Sequence, residues 1–370
     1  MKETDKLLIR LVRKNKTPSV HYAIFNKDFI IHRFFLGFAD IKNRTKTDEK
    51  TAYNLYSITK TFTALAVLQL AERNKCDIDQ PVIKYLHDFP YSSDITVRQL
   101  MAHTSGIPNP IPLSWIHAEA VHKTFDRDAF FRQVFSGHNK MKSRPNRKFA
   151  YSNLGYVFLG QLIEKISGMS YEDYVRKNIL EPINITSDEL DFIIGLSSLY
   201  AKGYQNNNIL SNVLLGLLIN KTVYMDEPEE KWRPFRRNYV NGASYGGLIG
   251  TANAMIRYVQ ELLKPDCCLL SGVYSQMMLT ENYTGSNKPT GMCLSWFKGH
   301  LNGTEYFTHA GGGGGYYSEV RIYPSLGKGS VIMFNRTGMR DERFLNRIDK
   351  HFIGEKEHIN FLNPFSMLNW

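Results

Sequence analysis

The chain has 370 residues, 43 % hydrophobic and 22 % charged, enough to bury a large core and too apolar to remain disordered. Its net charge of +11 is scattered: Lys2, Lys6, Arg10, Arg13, Lys14 and Lys16 lie at one end, while Arg233, Arg236 and Arg237 lie mid-chain behind the acidic stretch 226–230. This distribution argues for a solvated basic surface and against a nucleic-acid groove. Four cysteines without a C-x-x-C pair are too few for a disulfide framework and read as thiols.

The first six residues hold no apolar core and no small-residue cleavage site, so they do not read as a signal peptide. The longest apolar runs, near 65–70 and 213–219, are too short to span a bilayer. The expectation is a cytoplasmic protein, or an envelope protein whose leader has been removed. Residues 20–39 predict a hairpin, with strands 21–25 and 29–35 around the Asn26-Lys27-Asp28 turn. Residues 57–73 predict a helix apolar nearly all round, and such a helix is buried. Thr96 is placed to cap a short helix through Met101. Further helices are predicted over 126–135, 154–166, 171–179 and 251–263, with Thr251 opening the last. Residues 293–297 and 304–308 read as strand-like. Tyr316 to Tyr323 alternates, 324–329 is a turn, 330–334 a buried strand, and 340–353 a final helix.

Strands at both ends and helices between them imply an α/β (α+β) fold. A hairpin alone is unstable, so N- and C-terminal strands are expected in one antiparallel sheet flanked by helices, with a mostly helical lobe inserted. The expected organisation is a single domain over 1–370, with the sheet lobe at about 15–60 and 245–360 and the helical lobe at about 61–244. The seam between lobes is a natural cleft.

S-x-x-K occurs three times: Ser57/Lys60, Ser295/Lys298 and Ser325/Lys328. The second falls in a strand-like segment, where a spacing of three puts side chains on opposite faces; the third falls in a turn. Only Ser57 and Lys60 open a buried helix, where residues three apart share a face with Cβ atoms ~5–6 Å apart. Desolvation there lowers the lysine pKa and lets it take the serine proton; the alternative is a cap-like serine beside a snorkelling surface lysine. Tyr151-Ser152-Asn153 precedes the helix from Leu154. Tyr151 is either core or, beside a cationic lysine, a phenol of lowered pKa suited to proton transfer; Asn153 is either a helix cap or a polar contact. His309-Ala310-Gly311 heads the run Gly311 to Gly315. A phosphate loop would need a helix next, and a strand follows; glycines also let backbone approach a substrate closely.

Leu55-Tyr56-Ser57-Ile58-Thr59-Lys60, His103-Thr104-Ser105-Gly106, Tyr151-Ser152-Asn153, Gly246-Gly247-Leu248 and His309-Ala310-Gly311 occur in the order seen in the serine β-lactamase and penicillin-binding-protein superfamily. From about Ser19 to Arg336 the chain most resembles its class C-like branch, with the related esterases and D-amino-peptide hydrolases. The resemblance implies Ser57 as nucleophile, Lys60 and Tyr151 as general bases, and Asn153 as a substrate contact. His309 and Gly311 would line the substrate edge, and the N–H groups of Ser57 and Gly312 would form an oxyanion hole. His103 belongs to a turn behind the site. The resemblance implies a small-molecule or peptide substrate, no metal and no cofactor, and specifies no oligomeric state. His309 and Ala310 stand where penicillin-recognising relatives carry lysine and threonine to hold a carboxylate, which favours ester or small amide substrates over strong β-lactamase activity. The alternative function is an acyl-trapping or non-catalytic sensor of the same fold. Residues about 206–241 match no motif and are expected to shape the pocket or a partner surface.

Overall fold

A computed structural model describes residues 2–110, 114–193, 195, 199–338 and 343–354. Its centre is a seven-stranded antiparallel sheet in the order Phe297–Leu301, Thr304–Gly313, Tyr316–Tyr323, Lys328–Phe334, Ser19–Asn26, Ile30–Asp40, Thr45–Lys46. The N-terminal hairpin joins the C-terminal strands as expected, with Val20 opposite Phe334 and Tyr22 opposite Ile332. The second strand of that hairpin runs on to Asp40.

Alternation along the strands sends side chains to two cores. Ala23, Phe25, Val320, Ile322, Val331 and Met333 pack into the large core that also holds the Thr59–Glu72 helix. Val20, Tyr22, Ile24, Tyr323, Ile332 and Phe334 pack on the opposite face with Leu8, Phe344 and Ile348. Tyr316–Tyr323 is buried along its whole length, so the polar half of its alternation is not solvent-facing. Glu319 and Arg321 form a buried ion pair at 2.6 Å, and Asp349 accepts from Tyr22, Tyr323 and Ser330. Buried charges persist where each is paired and hydrogen-bonded.

Thr59–Glu72 is buried at every position from Thr59 to Ala71, as its all-round apolar sequence predicts. It packs against Asn153–Ser167 and against the short helix Ala243–Gly246. Thr96 caps Val97–Met101 in a full capping box with Gln99, and Thr251 caps Ala252–Leu262.

Two expectations need correction, the strand at 293–297 and the extent of the final helix, and two further elements were not expected. The helix Glu3–Arg13 was not expected; it buries Leu8 behind the sheet, with Leu7, Leu11 and Val12 partly buried beside it. Residues 293–296 form bends, with Ser295 at φ 72°, and the strand begins at Phe297. Ala52–Asn54 leaves the main sheet to pair with Ile249–Thr251, beside Leu190–Asp191. Among the described residues the last helix covers Asn346–Asp349; the expected start at 340 and the expected sheet-lobe limit at 360 fall outside them. The inserted region also carries two small two-stranded sheets, Ile116–Ala118 with Asn238–Val240 and Tyr204–Asn206 with Trp232–Pro234.

Candidate active site

The site begins with a strained turn. Tyr56 adopts φ 44°, a left-handed conformation uncommon outside glycine. The Tyr56 hydroxyl donates to Gly314 O at 3.0 Å, and its ring lies where any side chain at Gly313 would stand. Leu55 N donates to Leu248 O at 2.9 Å, and Leu248 N donates to Thr59 Oγ1 at 3.1 Å. The G-G-L segment therefore clamps both sides of the turn that presents Ser57.

Lys60 follows one turn later. Its Nζ is 3.0 Å from Ser57 Oγ, 2.8 Å from Asn153 Oδ1 and 2.6 Å from the carbonyl oxygen of Tyr245. The side chain is fully buried, which removes the snorkelling alternative. Burial pushes its pKa well below that of an ordinary lysine. As a neutral amine, Lys60 has two N–H donors and one lone pair. Asn153 Oδ1 and Tyr245 O only accept, so they take both donors and leave the lone pair facing the Ser57 hydroxyl.

Tyr151 approaches Ser57 from the other lobe, its hydroxyl 2.9 Å from Ser57 Oγ. Its ring centroid lies 5.1 Å from Lys60 Nζ. Ser152, not Asn153, caps the following helix by accepting from Gly155 N at 3.2 Å. This frees the Asn153 amide to turn inward. Asn109, absent from the motif reading, accepts from both Asn153 N at 2.9 Å and Asn153 Nδ2 at 3.1 Å. Only the Asn153 oxygen is left to face Lys60.

His103 lies behind the site at φ 55°. Its Nδ1 accepts from Ser152 N at 3.1 Å, and its ring packs 4.2 Å from that of Tyr151. Burial and the nearby Lys60 hold it well below an ordinary histidine pKa. His103 thus supports Tyr151 without touching Ser57 Oγ.

The glycine strand forms the opposite wall. Thr304–Gly313 pairs with Phe297–Leu301 only as far as Thr308, whereas 309–313 pair with Tyr316–Val320 alone. Their other edge faces the Ser57 turn. A Cβ at Gly311 would stand 1.9 Å from Leu55 O and 3.0 Å from Ser57 N, so only glycine permits that approach. At Gly312 a Cβ would meet open space.

His309 is buried. Its Nδ1 hydrogen-bonds the carbonyl of Ser295, which can only accept, so Nδ1 carries the proton and Nε2 presents a lone pair. Burial and Lys60 push its pKa down to about 3. Lys298, of the second S-x-x-K, is a surface cation paired with Glu305 at 2.6 Å and plays no part here.

These groups open on a cavity of about 690 Å³ lined by Ser57, Tyr151, Asn153, His309 and Gly312, with aromatic and aliphatic walls from Trp115, Phe235 and Leu215. Among the described residues none groups three or more His, Cys, Asp or Glu side chains as a metal site would. No helix among them is long and apolar enough to cross a membrane.

The chain is similar to known proteins in sequence and in fold. A family model described as beta-lactamase matches residues 4–352. The chain is 27 % identical over 247 residues to protein flp of Staphylococcus aureus strain N315, covering 64 % of this chain and 49 % of that protein. It is 32 % identical over 187 residues to penicillin-binding protein 4* of Bacillus subtilis strain 168, covering 49 % of this chain and 40 % of that one. The chain thus spans about half the length of the curated relatives it matches. Among solved structures, a D-amino acid amidase from Ochrobactrum anthropi SV3 complexed with D-phenylalanine superposes with TM-score 0.73 at 17 % identity, over 94 % of this chain and 96 % of that one. An octameric penicillin-binding protein homologue from Pyrococcus abyssi superposes with TM-score 0.72 at 22 % identity, over 90 % and 73 %. A class C beta-lactamase gives TM-score 0.72 at 18 % identity, over 96 % and 95 %.

Proposed function

The chain belongs to the beta-lactamase family, and from that premise we propose that it is a serine hydrolase that cleaves an ester, small amide or D-amino-acid peptide through an acyl-enzyme on Ser57. The observation that carries this reading is Ser57 Oγ held between Lys60 Nζ at 3.0 Å and the Tyr151 hydroxyl at 2.9 Å.

Ser57 Oγ attacks the substrate carbonyl carbon. Its proton passes to the neutral Lys60 amine, whose two N–H bonds are already committed to Asn153 and Tyr245. The negative charge on the carbonyl oxygen is met by the N–H groups of Ser57 and Gly312. Tyr151, on the other side of Oγ, relays the proton to the departing alcohol or amine as the carbon–heteroatom bond breaks. Water then attacks the acyl-enzyme, gives its proton back through the same groups, and releases the acid and free Ser57.

His309 supports the preference for esters and small amides. A neutral, buried ring supplies no positive charge to hold a carboxylate, and Ala310 offers it no hydroxyl. β-Lactam turnover is therefore weak or nil.

A fluorophosphonate probe, with p-nitrophenyl acetate, a β-lactam and a D-alanyl peptide as substrates, tests the assignment on wild type and Ser57→Ala. Labelling at Ser57 with ester or amide turnover supports it. Labelling without turnover of any substrate identifies an acyl trap instead, and no labelling at Ser57 ends the serine-hydrolase reading.

A further inference from the structure

The helix Ile209–Leu218 sits in the segment that no motif explains. Its sequence, ILSNVLLGLL, is apolar at most positions, yet it lies at the surface. One side faces inward: Ser211, Leu215 and Leu218 line the cavity above Ser57, followed by Ile219. The other side carries Ile209, Val213 and Leu217 at i, i+4 and i+8, one stripe along the helix. They are 84 %, 56 % and 78 % exposed. Val223 of the next short helix, Lys221–Tyr224, is a further exposed apolar side chain. A surface helix ordinarily turns a polar face to water, and this one turns a second apolar stripe.

Cations stand beside it. Asn207, just before the helix, donates its backbone N–H to Lys231 O at 2.8 Å. The Lys231 ammonium and the Arg336 guanidinium both lie over the Trp232 ring, at 5.1 and 5.6 Å. Trp232 Nε1 donates to Asn15 at 2.7 Å, which brings exposed Arg13, Lys14 and Lys16 to the same corner, and Lys16 O accepts from Arg336. Of the acids in the adjoining loop, Asp226 is paired with Arg236 and Glu229 with Lys202. Glu227 and Glu230 are the exposed ones.

We propose that the outer face of the Ile209–Leu218 helix docks on an anionic lipid bilayer surface. Ten residues are far too few to span, but an apolar stripe flanked by cations suits the headgroup–acyl boundary, where apolar burial and attraction to anionic lipid act together. A second copy fits less well, because a two-fold contact through this face would bring the same cation cluster against itself. Since the inner stripe of the same helix walls the cavity, docking sets that wall at the membrane surface. Docking of this face rests on the helix and its neighbouring cations and not on the chemistry at Ser57.

Sedimentation of the full chain with phosphatidylglycerol/phosphatidylcholine vesicles and with pure phosphatidylcholine vesicles tests it. Wild type pellets with the anionic vesicles and binds the neutral ones about tenfold or more weakly. The triple variant Ile209→Ser, Val213→Ser, Leu217→Ser loses about tenfold or more of the anionic binding. Lys16→Glu with Lys231→Glu loses the anionic preference. Ile209→Asp, at the exposed first turn, provides the same loss should the triple variant misfold, and hydrolysis of a soluble ester reports the site independently. Wild type left in the supernatant with anionic vesicles overturns the proposal, as does unchanged pelleting of Ile209→Asp. A wild-type dimer that the triple variant converts to monomer, with no vesicle binding, shows instead that a second copy covers the face.

Discussion

Asn109 accepts both N–H donors that Asn153 offers it, the backbone N at 2.9 Å and the amide Nδ2 at 3.1 Å, and so turns the Asn153 oxygen toward Lys60 at 2.8 Å. The lysine that faces Ser57 is thereby oriented from two residues away.

Removing that acceptor should uncouple the chain. Asn109→Ala leaves the Asn153 amide free to rotate, and ester turnover is expected to fall about tenfold or more at unchanged Ser57 labelling stoichiometry. Asn109→Asp keeps the acceptor but sets a carboxylate near the Lys60 ammonium, which raises the lysine pKa. Its rate–pH profile should therefore rise at higher pH than wild type. An Asn109→Ala variant with wild-type kinetics would remove Asn109 from this role.

Lys60 titration sets the wild-type profile. Its folded pKa lies below the ordinary lysine value because burial disfavours the ammonium, so the reactive neutral amine forms as pH rises through that depressed value. The acylation rate is expected to climb with pH to a plateau reached well below pH ~10. Lys60→Met should reduce acylation about 10²–10⁴-fold. Stopped-flow burst kinetics across pH check both, and a rate independent of residue 60 would exclude it as base.

The two neighbouring glycines should respond differently. Gly311→Ala drives a methyl into Leu55 O, a backbone atom that accepts from Ile58 N in a residue whose own N–H is tied to Leu248 O. It is expected to cost about 3 kcal/mol of stability or to abolish Ser57 labelling. Gly312→Ala meets open space and should cost less than about 1 kcal/mol. Urea unfolding of both variants decides; equal costs would mean that the strand does not press on the nucleophile turn.

Three histidines predict acid lability. His21 and His309 are buried and pushed down to about 3, and His103 is held well below its ordinary value. Each stays neutral when folded and takes a proton when unfolded, so the contribution of these histidines to stability is full above pH ~6.5 and is lost as pH drops toward the folded values, by about 1.4 kcal/mol per pH unit for each. Among the described residues neither ring nitrogen of His21 has a hydrogen-bond partner, and the ring packs 5.4 Å from Phe35, so His21→Phe should flatten the slope by one proton. Equal urea midpoints at pH 7.5 and pH 5 for wild type would refute this.

The sequence by itself determined the elements whose signal is local. The 20–39 hairpin, the all-round apolar helix after Ser57, and the Thr96 and Thr251 caps follow from short-range periodicity and side-chain chemistry, and each stands within a few residues of its expected bounds. Ser57, Lys60, Tyr151 and Asn153 could be singled out because five motifs keep the superfamily's order along the chain, and the fold brings the four together. Other features were decided only when distant segments met. Asn109 and the Tyr245 carbonyl carry no motif, since an amide or a backbone oxygen acquires its role from what stands opposite it. The His309 tautomer depends on the Ser295 carbonyl, in a segment whose alternation mimicked a strand. The depressed pKa of Lys60 depends on the surrounding residues that exclude water, and desolvation is a property of the packed volume rather than of neighbours in the chain.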